Sequence, residues 1–349
     1  MNLAKENQAN INRSTGIDLV KTVAVIFVVC VHFYLSCGYY SEPLISTKMY
    51  IMTYFRWLFM ISVPLFMILT GYLKGNKTVS KAHYFSLIPI IITYFIICII
   101  RMLIENKMYG KIHTLDSAVK SLFNYQSAWY VGMYISLMFI CPFLNKLWKS
   151  LDKKEHNLLI CSLVFVSMLY PVVLYVAPSY WQMLYPIGYY YMGLYIKTYK
   201  PKINKLVLAI LALASTLFNV VVSIYFAKGG MFRWEILGGV DSGYNLVTIA
   251  IGAVAIFLIF YDIEIKNSVI KKLIQSIAGC SLEIYLFQTA VNAVIYTYVG
   301  RRVSGAPQFF WLFFVLTPIS LVLSWIAGVV VKCLVDKIYN IIKESYISS

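Results

Sequence analysis

The chain has 349 residues, of which 60% are hydrophobic and 13% charged, and its formal net charge is +16. A composition this apolar excludes an ordinary soluble globular protein and indicates a polytopic membrane protein without a sizeable soluble domain. The basic residues are scattered over short loops and form no continuous patch, which argues against nucleic-acid binding and favours contact with anionic lipid.

Hydrophobic stretches long enough to cross about 30 Å of hydrocarbon follow one another along the whole chain. They lie near residues 17 to 37, 49 to 73, 84 to 104, 128 to 148, 157 to 177, 180 to 199, 204 to 226, 244 to 261, 280 to 299 and 309 to 334. We therefore predict an all-α polytopic membrane helical bundle with about ten transmembrane helices. Residues 1–16 would form an N-terminal tail, 17–334 the transmembrane domain and 335–349 a C-terminal tail.

Lysine and arginine placement predicts the orientation of these helices in the membrane. The even-numbered connections and both chain ends carry most of the basic loop residues, including Lys146, Lys149, Lys153 and Lys154 in one short loop. The opposite side has fewer, among them Lys48, Lys228 and the pair Arg301 and Arg302. Both termini are therefore expected in the cytoplasm, and the plasma membrane is the expected location.

The first hydrophobic segment contains three ionisable residues, Asp18, Lys21 and His32. Such groups are costly at membrane depth and usually mark a functional site. On an ideal helix, Lys21 and His32 differ by about 20° in azimuth and about 16 Å along the axis, and Asp18 lies on nearly the same face as Lys21. This spacing suits a long ligand with an anionic head near Lys21 and a reactive tip near His32.

All seven cysteines fall in or beside hydrophobic segments, and none forms a C-x-x-C pair. A disulfide framework or a zinc site is therefore not expected, and no metal is predicted. The first fifteen residues lack the pattern of a removed signal peptide, so the first helix is expected to remain as an anchor.

Two motifs in the first third of the chain resemble the acyltransferase-3 family of integral membrane acyltransferases. The first runs from Ile17-Asp18 through Lys21 to His32, and the second comprises Arg56, Ser62-Val63-Pro64-Leu65-Phe66 and Thr70-Gly71-Tyr72-Leu73. Weaker matches follow in order at Trp129-Tyr130 with Pro142, Tyr191-Met192-Gly193, Asp241 to Tyr244, and Ser281 to Leu286. The resemblance thus covers almost the whole chain.

The resemblance implies transfer of an acyl group, usually acetyl, from cytoplasmic acyl-coenzyme A to a hydroxyl of a cell-envelope polysaccharide or its lipid-linked precursor. Acetyl-coenzyme A would be the co-substrate. His32 would act as general base or transient acyl carrier with Asp18 as a second catalytic residue, and cationic side chains would bind the donor. The donor-binding residues would be Lys21, Arg56, Lys74 and Lys77, and the substrate-binding residues Trp129, Tyr130 and Glu283.

The chain departs from the family pattern at three places. Family members often carry arginine pairs after the second helix, where this chain has Lys74, Lys77 and Lys81. A histidine that is frequent in the ninth helix is Gln288 here, and Ser127-Ala128 replaces another before the fourth helix. Phosphate recognition would therefore depend on lysines, which are point charges without the geometry of a guanidinium group.

Each site residue also has a structural interpretation. His32 would then be a buried imidazole bonded to a neighbouring carbonyl, Lys21 a lysine that extends to the interface, and Arg56 part of a buried ion pair. Glu283 would cap the start of its helix, and Trp129 and Tyr130 would belong to an aromatic belt.

Two other functions fit the same composition. One is a transporter or flippase of a small polar or glycan substrate, without chemistry. The other is a polysaccharide polymerase or another glycan-handling membrane protein, although the longest outer connection, near 105 to 127, is short for that class. The oligomeric state and the acceptor do not follow from the sequence.

Overall fold

The computed structural model describes residues 14–110, 114–123, 128–169, 177–233, 243–303 and 305–348. Within these residues the chain is helical, and one isolated bridge between Pro43 and Met231 is the only extended pairing. The predicted all-α class is confirmed. Asp241, Ser127, the end of the predicted 157 to 177 segment and most of the N-terminal tail lie outside the described residues.

The helices are numbered here in chain order. They are α1 (Thr15–Ser36), α2 (Thr47–Phe59), α3 (Ser62–Lys74), α4 (Lys81–Phe85), α5 (Ile88–Tyr109), α6 (Leu115–Phe123), α7 (Trp129–Ser150), α8 (Lys153–Met168), α9 (Tyr185–Tyr199), α10 (Lys205–Ala227), α11 (Val247–Phe260), α12 (Ser268–Gly279), α13 (Ser281–Val299), α14 (Ala306–Phe309) and α15 (Phe313–Ser348). Two short 3₁₀ turns, Tyr39–Ser41 and Ser179–Leu184, precede α2 and α9.

Six helical spans among the described residues are long and apolar enough to cross a membrane. Four are the single helices α1, α7, α10 and α15, and two combine neighbouring helices, α2 with α3 and α4 with α5. A seventh is added if α12 and α13, which meet at an angle of 71°, count as one broken span. The chain is thus a multi-pass membrane protein, and the predicted count of about ten is not confirmed by the described residues.

Three further predicted spans correspond to helices that are short within the described residues. In α8, α9 and α11 the helical segments have 16, 15 and 14 residues. At 1.5 Å per residue each is shorter than about 30 Å of hydrocarbon. Pro186 explains the late start of α9, because a proline is tolerated in the first turn of a helix but not in its interior.

Helix α1 lies at the centre of the bundle. Ser14 begins it by accepting a hydrogen bond from the backbone N–H of Ile17, and the helix then runs unbroken to Ser36. It packs against α2, α3, α11, α12, α13 and α15. The ionisable residues of α1 are therefore held in the interior of the bundle by surrounding helices.

The outer faces of the bundle keep large apolar side chains exposed. Leu206 and Tyr225 on α10 are 68% and 71% exposed, and Val330 on α15 is 66% exposed. Exposed apolar surface of this extent is expected where helices face lipid. Helix α15 continues through residue 334 to Ser348, so the predicted boundary of the C-terminal tail falls inside a helix.

Candidate functional site

A cavity of about 260 Å³ opens between α1, α3, α7 and α13. One part of its wall carries Lys21 and Lys74, which we call the basic end. Another part carries three tyrosine rings, Tyr130, Tyr134 and Tyr285, which we call the tyrosine end. Most of the remaining wall is aliphatic, so the cavity suits a ligand with an apolar body and an anionic group.

The basic end has more positive charge than the two lysines on its wall. Lys74 feels the electrostatic repulsion of Lys77, which lies three residues further along the chain in an exposed turn. Ser281, the first residue of α13, also lies on the cavity wall. The positive end of the α13 dipole therefore adds to the field of the lysines.

Glu283 is buried in the first turn of α13, at 5% exposure. Lys21 and Lys332 both act on its carboxyl group electrostatically. Glu283 thus lies near the basic end, but it does not belong to the cavity wall. Its place in the first turn also fits the capping interpretation.

Asp18 is 6% exposed and lies one helical turn before Lys21. Because α1 is continuous, Asp18 and His32 are fourteen residues apart, or about 21 Å along the axis. Asp18 therefore lies near the basic end and cannot touch reacting atoms beside His32.

His32 lies near the tyrosine end. Its ring centroid is 6.3 Å from that of Tyr285, which in turn is 5.9 Å from that of Tyr130. Tyr285 and Tyr130 line the cavity, whereas His32 is not among the described wall residues. Tyr285 therefore lines the cavity and also lies beside the imidazole.

Gln288 binds the imidazole from α13. Its side-chain Nε2 lies 2.7 Å from Nδ1 of His32, and the residue is fully buried. In this orientation the amide donates to Nδ1, so the ring proton is on Nε2. The amide Oε1 is buried and has no hydrogen-bond partner among the described residues. Rotation of the Gln288 amide by 180° would let its Oε1 accept a hydrogen bond from an Nδ1–H of His32. The Nε2 of His32 would then carry no proton.

Arg56 lies in a different part of the bundle. Its guanidinium carbon is 4.1 Å from the Trp57 ring and 4.4 Å from the Phe232 ring, and its Nε donates to the Tyr40 hydroxyl at 3.3 Å. The residue is fully buried and does not line the cavity. Stacking of this kind joins α2 to the loops around Tyr40 and Phe232.

Of the two aromatic residues predicted to bind substrate, only Tyr130 lines the cavity. Tyr130 belongs to the tyrosine end, and its neighbour Trp129 is 38% exposed with its ring 5.5 Å from that of Tyr244. The cavity thus brings together Lys21, Lys74 and Tyr130 from the predicted set. Lys77 and Glu283 are close to its basic end, and Arg56 is apart.

Sequence analysis did not identify Tyr134, Tyr285 or Asn145 as site residues. Tyr285 lies within the matched segment Ser281 to Leu286, and a signal for Asn145 is that it is an amide within an apolar helix. Asn145 is 1% exposed and bonds the turn that carries Lys74 and Lys77. For metal ions, the described residues contain no group of three or more histidine, cysteine, aspartate or glutamate side chains placed to bind one.

Comparison with known proteins gives one match. The family model described as an acyltransferase domain, that of the acyltransferase-3 family, matches residues 14–329. No curated protein and no solved structure matches the chain significantly. The matched region contains the complete cavity wall, His32 and Gln288. The chain therefore belongs to the acyltransferase-3 family and is a multi-pass membrane acyltransferase.

Proposed function

We propose that the protein transfers an acetyl group from acetyl-coenzyme A to a hydroxyl group of a cell-envelope polysaccharide or its lipid-linked precursor. The observation that carries this proposal is the cavity, with lysines at one end and tyrosines beside His32 at the other. An acyl-coenzyme A has the same polarity, since its phosphates are anionic and its pantetheine arm and thioester are uncharged.

In this proposal the basic end binds the phosphates of the donor. Lys21 and Lys74 lie on the wall, Lys77 adds charge from the adjacent turn, and the start of α13 contributes its dipole. The lysines give attraction with little geometric selectivity, because an ammonium does not form the paired hydrogen bonds of a guanidinium. Arg56 has no part in donor binding here, since it lies outside the cavity wall.

The pantetheine arm would then lie along the apolar wall towards the tyrosine end. Lys21 and His32 are eleven residues apart on one unbroken helix, or about 16 Å, which is of the order of an extended pantetheine. The thioester would arrive beside Tyr285 and Tyr130. Because the Tyr285 ring lies beside His32, a thioester at this end would lie close to the imidazole.

His32 acts on the reaction in one of two ways. As a general base, its unprotonated nitrogen takes the proton of the acceptor hydroxyl while the oxygen bonds to the thioester carbonyl and the coenzyme A thiolate leaves. As an acyl carrier, the same nitrogen first attacks the carbonyl and expels the coenzyme A thiolate. The acceptor oxygen then takes the acetyl group from the imidazole, and its proton ends on the thiolate. Both routes need Nε2 without its proton, and this requires Gln288 to present Oε1 to Nδ1–H.

The acceptor would approach from the end of the bundle opposite the lysines. His32 is four residues from the end of α1 at Ser36, or about 6 Å along the axis. The donor would enter from the cytoplasm, where the placement of lysine and arginine predicts the lysine-rich loops and both termini, and the acceptor would enter from the far side of the plasma membrane. Trp129, exposed near that end of α7, is available to contact a sugar ring.

Acetyl transfer by the purified protein tests this function. The protein in lipid nanodiscs is given acetyl-coenzyme A with and without envelope polysaccharide, and thiol release and glycan O-acetyl content are measured. We expect thiol release that depends on glycan and that is lost in His32→Gln. Movement of the glycan across the bilayer of sealed proteoliposomes without thioester consumption would instead support a transporter or flippase.

A further inference from the structure

Asn145, on α7, uses both ends of its amide in hydrogen bonds. Its Nδ2 donates to the backbone carbonyl of Lys74 at 2.9 Å and to that of Lys77 at 2.8 Å, and its Oδ1 accepts from the Tyr190 hydroxyl at 2.7 Å. Asn145 and Tyr190 are both buried, at 1% and 0% exposure. The sequence gives neither residue a role in the site.

The orientation of this amide follows from its partners. The two carbonyl groups only accept, so the NH₂ group must face both of them. The hydroxyl of Tyr190 then donates to the remaining oxygen. Asn145 therefore joins three parts of the bundle, namely α7, α9 and the turn after α3. Removal of this buried amide would take one donor from each of the two carbonyl groups and the acceptor from the Tyr190 hydroxyl.

The turn that Asn145 holds is the one that brings positive charge to the cavity. Lys74 is the last residue of α3, where the terminal carbonyl groups have no partner within the helix. The backbone N–H of Lys77 donates to the carbonyl of Lys74 at 2.9 Å and closes the turn. Lys74 lines the cavity, and Lys77 repels it electrostatically. The bonds from Asn145 oppose that repulsion, because they fix both backbones to α7.

Helix α9 is itself fixed against α3 by two glycines. A Cβ atom at Gly71 would collide with the backbone carbonyl of Tyr190, and one at Gly193 would collide with that of Ile68. The two backbones are therefore in direct contact, and the Tyr190 hydroxyl reaches Asn145 from a rigid support.

A further hydrogen bond attaches the connection between α3 and α5 to α7. Nε2 of His83, in α4, lies 2.8 Å from the carbonyl oxygen of Met138. That carbonyl has no helical donor because the residue four positions on is Pro142, which lacks an N–H. Helix α7 thus holds the connection between α3 and α5 at Lys74, at Lys77 and at His83.

We propose that Asn145, supported by Tyr190, is a positioning residue that holds Lys74 and Lys77 where they bind the phosphate groups of the donor. This inference rests on the proposed function. Asn145 would therefore affect the binding of the donor's phosphate groups and leave the rate of the thioester chemistry unchanged.

Donor truncation tests the inference. Asn145→Ala and the milder Tyr190→Phe are compared with wild type for binding of coenzyme A and of pantetheine, which lacks the phosphates, and for KM and kcat with the two acetylated donors. We expect Asn145→Ala to weaken coenzyme A binding and raise the KM for acetyl-coenzyme A about tenfold, the equivalent of one lost hydrogen bond. Tyr190→Phe should shift both in the same direction by less. Pantetheine binding and kcat at saturating donor should stay within about twofold of wild type.

The matched control is Asn219→Ala. Asn219 is another buried amide, at 1% exposure, and its Oδ1 accepts from Thr248 on α11, outside the cavity wall. This variant should lose thermal stability without distinguishing the two donors. Equal weakening of coenzyme A and pantetheine by Asn145→Ala and Tyr190→Phe would overturn the inference, as would unchanged coenzyme A binding in both. If wild type binds coenzyme A more tightly than pantetheine but releases no thiol, the proposed chemistry fails while the positioning role still holds.

Discussion

Gln288 on α13 places its amide nitrogen 2.7 Å from Nδ1 of His32 on α1, across 256 positions of sequence. The pair is the point at which two central helices of the bundle meet beside the tyrosine end of the cavity. An amide can donate or accept in this position, so the orientation of the Gln288 amide is coupled to which nitrogen of His32 carries the proton.

Replacement of His32 by glutamine should abolish most transfer while preserving the fold. Glutamine is similar in size and can still hydrogen-bond, but it cannot accept a proton or an acyl group. We expect acetyl transfer to fall at least about a hundredfold, the typical contribution of a positioned base. The assay compares membranes with matched protein amounts and the thermal stability of the purified variant. Transfer near the wild-type rate would remove the catalytic assignment.

Replacement of Gln288 by glutamate should retain more activity than replacement by leucine. A carboxylate can only accept, so it fixes the Nδ1–H form of His32 and leaves Nε2 free. Leucine has neither group and leaves the ring without its partner. We expect a loss of about tenfold or more for Gln288→Leu and a smaller loss for Gln288→Glu, measured as kcat.

The ring proton can also be located directly by ¹⁵N NMR of histidine-labelled protein. His83 and His156 provide references, because Nε2 of each faces a backbone carbonyl, at 2.8 Å and 2.7 Å, and must carry the proton. The signal lost in His32→Gln identifies His32. A Gln288→Glu protein that is inactive with His32 in the Nδ1–H form would contradict the role given to Nε2.

Lys21 should tolerate arginine better than alanine. Either cation can attract a phosphate, whereas alanine removes the charge from the basic end. We expect Lys21→Ala to weaken coenzyme A binding about tenfold, an effect that declines with increasing salt. Isothermal titration at two salt concentrations provides the measurement. Coenzyme A binding by Lys21→Ala as tight as that of wild type would show that Lys21 only extends to the interface.

Arg56 should matter for stability and not for the donor. Its guanidinium packs between Trp57 and Phe232, and lysine cannot reproduce that planar contact. Arg56→Lys is therefore expected to lower the melting temperature while the folded fraction binds coenzyme A normally. Selective loss of coenzyme A binding at unchanged melting temperature would show that Arg56 contributes to donor binding.

The loop around residues 145 to 156 should be cytoplasmic. A cysteine introduced at Lys149 should react with a membrane-impermeant reagent only after the cell membrane is opened. The background protein needs Cys161 and Cys333 replaced by serine, because both thiols are exposed. Labelling of Lys149→Cys in intact cells would invert the direction of donor entry.

The sequence by itself determined the helical class, the membrane environment and the family. These properties depend on local composition and on motifs of fixed spacing, and the 16 Å between Lys21 and His32 follows from helix geometry alone. The same reasoning gave about ten spans, and the described helices α8, α9 and α11, with 16, 15 and 14 residues, leave that count unconfirmed.

Only the tertiary structure decided which residues share the cavity. Lys21, Lys74 and Tyr285 come from α1, α3 and α13, and no local pattern predicts that their side chains converge. Arg56 has the positive charge expected of a donor-binding residue, yet the packing of α2 directs its side chain into an aromatic cluster. Asn145 and Gln288 gain their roles from partners far away in sequence, because a buried amide in an apolar bundle must find its hydrogen bonds on neighbouring helices.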